Sequence, residues 1–307
     1  VYQTRIYDVV QDTTGFIWFV TSEKGLYKYD GVTFKNFPQL SNPRNVIVNR
    51  ENDIIVNADE GLHIYNVVLD AFENIFFTGP STRYNKIINP EFIDDSKICY
   101  RIADSVHVVN TVTKEKKLID SNNQSRDYLR ISDNKFLAAS HSHGLIEYSL
   151  GKETKRDILV DLKIHALLRD NVDENIIWFS YMGGIGKIDL TTNNFETFDL
   201  FPKTISLDLE FLNDRKILIG SIDGLYIFDK FSKKYSNEGF NNRWKTNTLK
   251  ILKDKEGSFW FATVKGLIKS EPVRAIKHFT FQDEIKRADN TVLTMCSNDS
   301  GGIWTVN

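Results

Sequence analysis

Short apolar runs separated by polar turns recur along the whole chain, and the dipeptide following the strongest run in each unit returns at a nearly constant interval. Gly-Leu or a close relative stands at Gly25-Leu26, Gly61-Leu62, Ser105-Val106, Gly144-Leu145, Gly184-Ile185, Gly224-Leu225 and Gly266-Leu267, about forty residues apart. A period of that length built from short extended segments marks a repeated sheet unit. In the first unit residues 5–10 alternate, Asp12-Thr13-Thr14-Gly15 forms a tight turn, residues 16–20 are apolar throughout, and residues 22–25 turn again. Residues 26–29 and 33–37 supply two more extended segments, separated by Asp30-Gly31, a hairpin-turn pair. Four short antiparallel strands per unit, repeated seven times, predict an all-β fold: a seven-bladed β-propeller, in which arranging blades about an axis removes most free sheet edges.

The second strand of each unit carries the strongest apolar signal, as in Phe16-Ile17-Trp18-Phe19-Val20 and Ile176-Ile177-Trp178-Phe179. Such a strand must be covered on both faces, one by the preceding blade and one by the next. Trp18, Ile55, Cys99, Leu137, Trp178, Leu218 and Trp260 share one position in these strands and are expected to pack between blades. The anchor glycine is expected to supply a positive φ in the turn before the third strand, and Ser105 implies a different turn in the third unit. Seven units fill residues 1–281. A further strand pair follows over residues 289–307, where Asn298 to Trp304 repeats the pattern of Asp254 to Trp260. This predicts the start of a further blade, of a second propeller, in a chain that continues beyond Asn307.

An apolar content of 41% supports a substantial core. The net charge of −2 and pI near 6.4 provide no general basic field, which argues against nucleic-acid binding. No stretch of 18 consecutive apolar residues is present to span a membrane. Cys99 and Cys296 sit in apolar runs of different units and read as buried hydrophobes, not as a disulfide or metal pair.

Catalytic and metal signatures are weak. The segment Tyr181-Met182-Gly183-Gly184-Ile185-Gly186-Lys187 superficially resembles a phosphate loop, but lacks the first glycine and the closing Ser or Thr, and it joins two strands. The Asp-rich turns lack the spaced carboxylates that calcium demands. His141 and His143 form a clustered imidazole pair with no third ligand at a suitable spacing. No Gly-x-Ser-x-Gly elbow is present. Neither a catalytic residue, a metal nor a cofactor is expected in this chain.

Gly15-Phe16-Ile17-Trp18 followed by Gly25-Leu26-Tyr27-Lys28-Tyr29-Asp30-Gly31 resembles the two-component regulator propeller repeat, a likeness that recurs at residues 257–267 and more loosely at 178–189 and 217–229. The resemblance implies a periplasmic sensor region of a hybrid two-component histidine kinase, of a kind common in gut Bacteroidetes. It implies an oligosaccharide or glycan breakdown product as ligand, a second propeller and a C-terminal β-sandwich in the same chain, a membrane span before the kinase, and a homodimeric whole. The expected role is non-catalytic. A carbohydrate-active hydrolase or lyase and a protein-interaction scaffold are the alternatives.

In a propeller, the loops between second and third strands and those between blades gather on one face, where ligands meet a rigid scaffold. On this face Tyr84, Tyr181 and Trp244 are expected to offer aromatic planes to sugar rings, and Arg83, Arg243, Lys24 and Lys265 donors to hydroxyls or anions. His141 and His143 join them as candidate ligand contacts.

Overall fold

The computed structural model describes residues 4–78, 86–199, 204–237 and 245–270, together with the strands Thr294–Ser297 and Ile303–Val306. Its strands form antiparallel sheets in simple sequential order, and no helix occurs among the described residues. Six blades have four strands each, and the seventh is described through its third strand, Gly266–Ser270. The innermost strand of each blade comes first in sequence: Ile6–Gln11, Asn45–Val48, Ile87–Phe92, Ser125–Ser132, Ile164–Arg169, Ser206–Asn213 and Thr248–Lys253. Each touches the inner strand of the next blade, and the last touches the first, so the ring closes. The predicted seven-bladed propeller is the observed fold. The chain divides into compact units of residues 1–271 and 272–307, the second containing the antiparallel pair Thr294–Ser297 and Ile303–Val306.

The core lies between the blades, as seven hydrophobic clusters, one per interface. Trp18 packs on Val46, Ile54 and Val56 of the second blade. Trp178 packs on Leu209, Phe211 and Phe228 of the sixth, and Trp260 on Ile6, Val9 and Phe19 of the first. Ile55, Cys99, Leu137 and Leu218 occupy the same position in the other blades and are buried in the same way.

The Asp-x-x-Gly-x-x-Trp spacing has a direct physical cause. Asp12 Oδ1 accepts the turn N–H groups of Thr14 and Phe16 at 3.0 Å, while its Oδ2 accepts the Trp18 indole N–H at 2.8 Å. Asp254 does the same for Ser258 and Trp260, each at 2.7 Å. One carboxylate thus closes the turn and satisfies the only polar atom of a buried indole, which would otherwise carry a desolvation cost. Trp178 uses Asp170 at 2.7 Å, eight residues upstream, across a longer turn.

Among the described residues, side chains and turns link the last blade to the first. Beside Trp260, the Lys255 N–H donates to Gln11 Oε1 at 2.7 Å, the Lys255 ammonium donates to the Thr13 carbonyl at 2.6 Å, and the Gln11 amide donates to Glu256 at 3.1 Å.

Gly144 illustrates the anchor glycine: its φ is +75°, and a Cβ there would overlap the Leu159 carbonyl oxygen of the fourth strand. In the third blade Ala103, at φ 49°, takes the left-handed position, and Ser105 has no such requirement. The fifth blade departs from expectation, because Gly183 at φ 98° supplies the turn in place of the anchor Gly184.

Replacing Trp178 with Ala is expected to destabilise the ring by about 3–5 kcal/mol as a large-to-small core change. Asp254→Ala should cost about 1–3 kcal/mol, because it strands the Trp260 indole N–H without a partner. Urea unfolding midpoints measure both, and wild-type stability in either variant would contradict the corresponding contact.

Candidate functional site

A bulge in the inner strands determines what the axis looks like. The antiparallel register slips between Ile6 and Asp8, Ser125 and Asp127, Ile164 and Ala166, Ser206 and Asp208, and Thr248 and Lys250. One extra residue at a bulge re-aims its side chain. The five inserted residues, Tyr7, Arg126, His165, Leu207 and Leu249, all line a cavity of about 560 Å³ on the axis. Every blade contributes a polar or charged group to its wall: Asp8, Asn45, Glu91, Asp127, His165, Asp208 and Lys250.

Three of the carboxylates also tie neighbouring blades together. Asp8 Oδ2 accepts the Val46 N–H at 3.2 Å, Asp127 Oδ2 the Leu167 N–H at 2.7 Å, and Asp208 Oδ2 the Ile251 N–H at 2.7 Å, in each case on the inner strand of the next blade. Lys250 Nζ donates to Asp208 Oδ1 at 3.3 Å and is the ammonium that faces the cluster. Burial pushes the Asp8 and Asp127 carboxyls up to about 6 and that of Glu91 up to about 8, with Lys250 pulling each back towards ionisation. At Glu91, the neighbouring Asp127 and Asp8 add repulsion. Attraction by Asp208, followed by Asp127, Asp8 and Glu91, holds the Lys250 ammonium above its ordinary range. Near neutral pH Glu91 is therefore largely a neutral acid, capable of donating a hydrogen bond, beside ionised acceptors.

At the mouth His165, 8% exposed, stacks on His141 with ring centroids 5.5 Å apart and 13° between planes. His141 Nδ1 and His165 Nε2 are 3.3 Å apart, one donating to the other. The buried His165 Nδ1 has no partner of good geometry, although the Ser206 main chain is near enough to favour the charged ring. Burial, then His141, then Arg126 hold the His165 imidazole down at about 4.

The sequence-predicted contacts fall in different places. His141 is half-buried and reaches the cavity wall through His165. His143 bonds to Ser142 Oγ at 2.7 Å on the same turn. Lys24 and Lys265 are exposed on their loops, where their main-chain N–H groups bond to Thr21 and Thr263 Oγ1, and neither lines the cavity. Tyr181 offers no aromatic plane to solvent: it is 6% exposed within the core between blades four and five, and its hydroxyl donates to Asp199. It ends a fully buried run of the second strand, which turns its ring inward. Arg83, Tyr84, Arg243 and Trp244 lie outside the described residues. No cluster of three or more metal-ligating side chains occurs among the described residues, so the His141 and His143 pair gains no third ligand there.

The residues that do converge, Asp8, Glu91, Asp127, His165, Asp208 and Lys250, escaped the sequence reading. Four of them, Asp8, Asp127, Asp208 and Lys250, share one column of the repeat, the residue after the bulge in the first strand, whereas His165 is itself a bulge residue and Glu91 stands further along its strand.

The architecture defines a seven-bladed propeller with a polar axial cavity. No family model matches the chain, and no curated protein matches it. Among solved structures it is similar to the extracellular domain of the hybrid two component system BT4673 from B. thetaiotaomicron, at 17% identity and a TM-score of 0.75, over 99% of this chain and 43% of that one. The extracellular domain of the hybrid two component system BT3049 from B. thetaiotaomicron gives 19% identity and a TM-score of 0.70, over 98% and 44%. The chain thus spans less than half the length of these neighbours. A catalytically inactive variant of virginiamycin B lyase from Staphylococcus aureus with quinupristin also matches, at 11% identity and a TM-score of 0.71, over 87% and 94%. These similarities establish the fold, and a fold shared by extracellular domains of two component systems and a lyase leaves function to the site.

The carboxyl cluster sets a direction for pH dependence. Its folded-state pKa values lie above the unfolded ones, so between about pH 4 and 8 these carboxyls hold more protons in the native state, and their contribution to stability falls as pH rises. Glu91→Gln, which keeps a neutral polar group, should match the wild-type stability near pH 4 and flatten the decline between about pH 4.5 and 8, so that it becomes the more stable of the two as pH rises. Urea midpoints across that range provide the measurement, and an equally steep decline in the variant would show that Glu91 ionises without penalty.

Proposed function

We propose that this chain is a non-catalytic, ligand-sensing propeller of an exported hybrid two-component signalling protein, and that its ligand is a saccharide seated at the mouth of the axial cavity. The observation that carries the reading is the cavity itself, about 560 Å³ in volume, with one polar or charged group from each of seven blades. Carboxylates that accept, a neutral Glu91 that donates, and Lys250 together match a molecule whose surface alternates hydroxyl donors and acceptors. The likeness to extracellular domains of hybrid two component systems, over nearly the whole chain, supports the same reading. A second propeller, a β-sandwich, a membrane span and a histidine kinase would belong to the remainder of the protein, acting as a dimer from the periplasm. Arg83, Tyr84, Arg243 and Trp244 are the proposed flanking contacts.

One observation favours a second reading, a glycan hydrolase. Glu91, pushed up to about 8, stands in the same cavity as the more acidic Asp8 and Asp127, a pairing of the kind that acid and base catalysis uses. Against it, Asp8 and Asp127 already accept main-chain N–H groups of the next blade.

Titrating a panel of glycan fragments into the complete protein by calorimetry should reveal saturable binding with no product released. Ile222, 38% exposed at the cavity wall, provides a plug: Ile222→Trp should weaken binding at least about tenfold by filling the entrance. Released product would favour the hydrolase, and unchanged affinity in the plugged variant would move the ligand elsewhere.

A further inference from the structure

Around the cavity mouth the first five blades share a feature that the sixth and seventh lack. Arg5, Arg44, Lys86 and Lys163 each immediately precede the inner strand of their blade, and Arg126 is the second residue of its own. Arg126 lines the cavity. The corresponding positions in the last two blades carry Ile205 with Leu207, and Asn247 with Leu249. Arg5, Arg126 and Lys163 are exposed, and Arg44 and Lys86 are half-buried. Among the described residues none of the five side chains makes an ion pair or hydrogen bond. Arg44 lies over the Tyr7 ring at 5.7 Å, with its Nε buried and unpartnered.

Neighbouring cations act on one another and on the histidines beside them. Burial and then Arg44 push the Lys86 ammonium down, with Asp59 pulling the other way. Burial, then Arg126 and Lys163, push the His141 imidazole down, and the same two cations act on His165. Acids on the loops of this face are largely engaged: Asp59 accepts from Asn42, Asp104 pairs with Arg101 at 3.7 Å, and Asp223 accepts from Thr204, Ser221 and Tyr226. Glu23 and Glu60 are the remaining acids of the second-to-third-strand loops.

Five cations at one rim repel each other, and an anion bound among them relieves that repulsion while gaining charge-assisted hydrogen bonds. We propose that the arc formed by Arg5, Arg44, Lys86, Arg126 and Lys163 receives the anionic substituents of the ligand, which is therefore a saccharide bearing carboxylate or sulfate groups. This rests on the reading of the cavity as a saccharide site and names its ligand class. The guanidiniums grip planar carboxylate or sulfate edges in pairs, and the lysines act as point charges beside them. Sugar hydroxyls then face the carboxyl-lined interior.

The test compares matched probes on the complete protein by calorimetry: a galacturonate trimer, its fully methyl-esterified counterpart, a sulfated disaccharide, and inorganic sulfate. The acid trimer or the sulfated disaccharide should bind at least about tenfold more tightly than the ester, with affinity that falls as salt rises. Which of the two binds separates a carboxylate from a sulfate ligand. The double variant Arg126→Gln with Lys163→Gln should lose that advantage, whereas Arg126→Lys with Lys163→Arg should retain most of it; both side chains are exposed, so folding is not at stake, and melting curves check this. An ester that binds as tightly as both anionic saccharides, unchanged affinity in the double Gln variant, or sulfate ion binding as tightly as the saccharides would each overturn the inference. Ester binding that the Ile222→Trp plug abolishes, without preference for acid, leaves the saccharide site standing and removes only the anionic class. Failure of every probe removes both.

Discussion

A blade of this protein cannot satisfy its own second strand. That strand is buried over its whole length in three blades and over all but its first residue in three more, with one face turned to each neighbour, so every sheet needs another on either side. The requirement is met only when the chain returns to its start, and the seventh interface is as apolar as the other six: Trp260 fills it against Ile6, Val9 and Phe19. Among the described residues, side-chain packing and the clasp between Gln11 and Lys255 link the last blade to the first. The turn aspartates belong to this arrangement, because an indole can be buried at a blade interface only if its N–H finds an acceptor, and Asp12, Asp170 and Asp254 provide one.

Closing seven wedges around an axis leaves the inner strands facing one another, and the bulges decide what they present. Three aspartates use this position to accept N–H groups of the following blade, which links the ring from inside. Their proximity works against that gain: burial and mutual repulsion raise the carboxyl pKa values, and Lys250 offsets only part of the negative charge. A wall needing only stability would favour apolar residues there, as Val10, Val46 and Val48 do in the same cavity. Retaining ionisable groups in such surroundings is characteristic of sites that meet another molecule.

The features legible in the sequence were those whose cause repeats in every unit. The glycine before the third strand answers to a backbone constraint, and the aromatic or aliphatic residue six or seven places earlier answers to burial; both recur at the same offset, so period, strand number and blade count could all be read. The cavity was hidden because a one-residue bulge breaks alternation where it matters: after Ile6 or Ser206 the next side chain no longer falls on the face that a regular strand would give it. Nor does any single unit contain the cluster, since Asp8, Glu91, Asp127, Asp208 and Lys250 come from five blades and meet only when the ring forms. Tyr181 shows the opposite error. Its position beside a loop suggested an aromatic plane open to a ligand, yet the ring completes the core and its hydroxyl donates to Asp199.

Charge is distributed along the axis in a way that gives the cavity a direction. Among the described residues, cations without an ion pair stand at the strand starts of the first five blades, and the carboxyls Asp8, Glu91 and Asp127 lie further along three of the same strands. A molecule with separate anionic and hydroxyl-rich parts is therefore oriented as well as held, since reversing it would bring anion against carboxylate and leave the rim unpaired. Such a ligand contacts several inner strands at once, and those strands are joined blade to blade through the aspartate links. These links couple each blade to the next, so on the proposed reading a ligand bound in the cavity would act through how the whole propeller meets its surroundings.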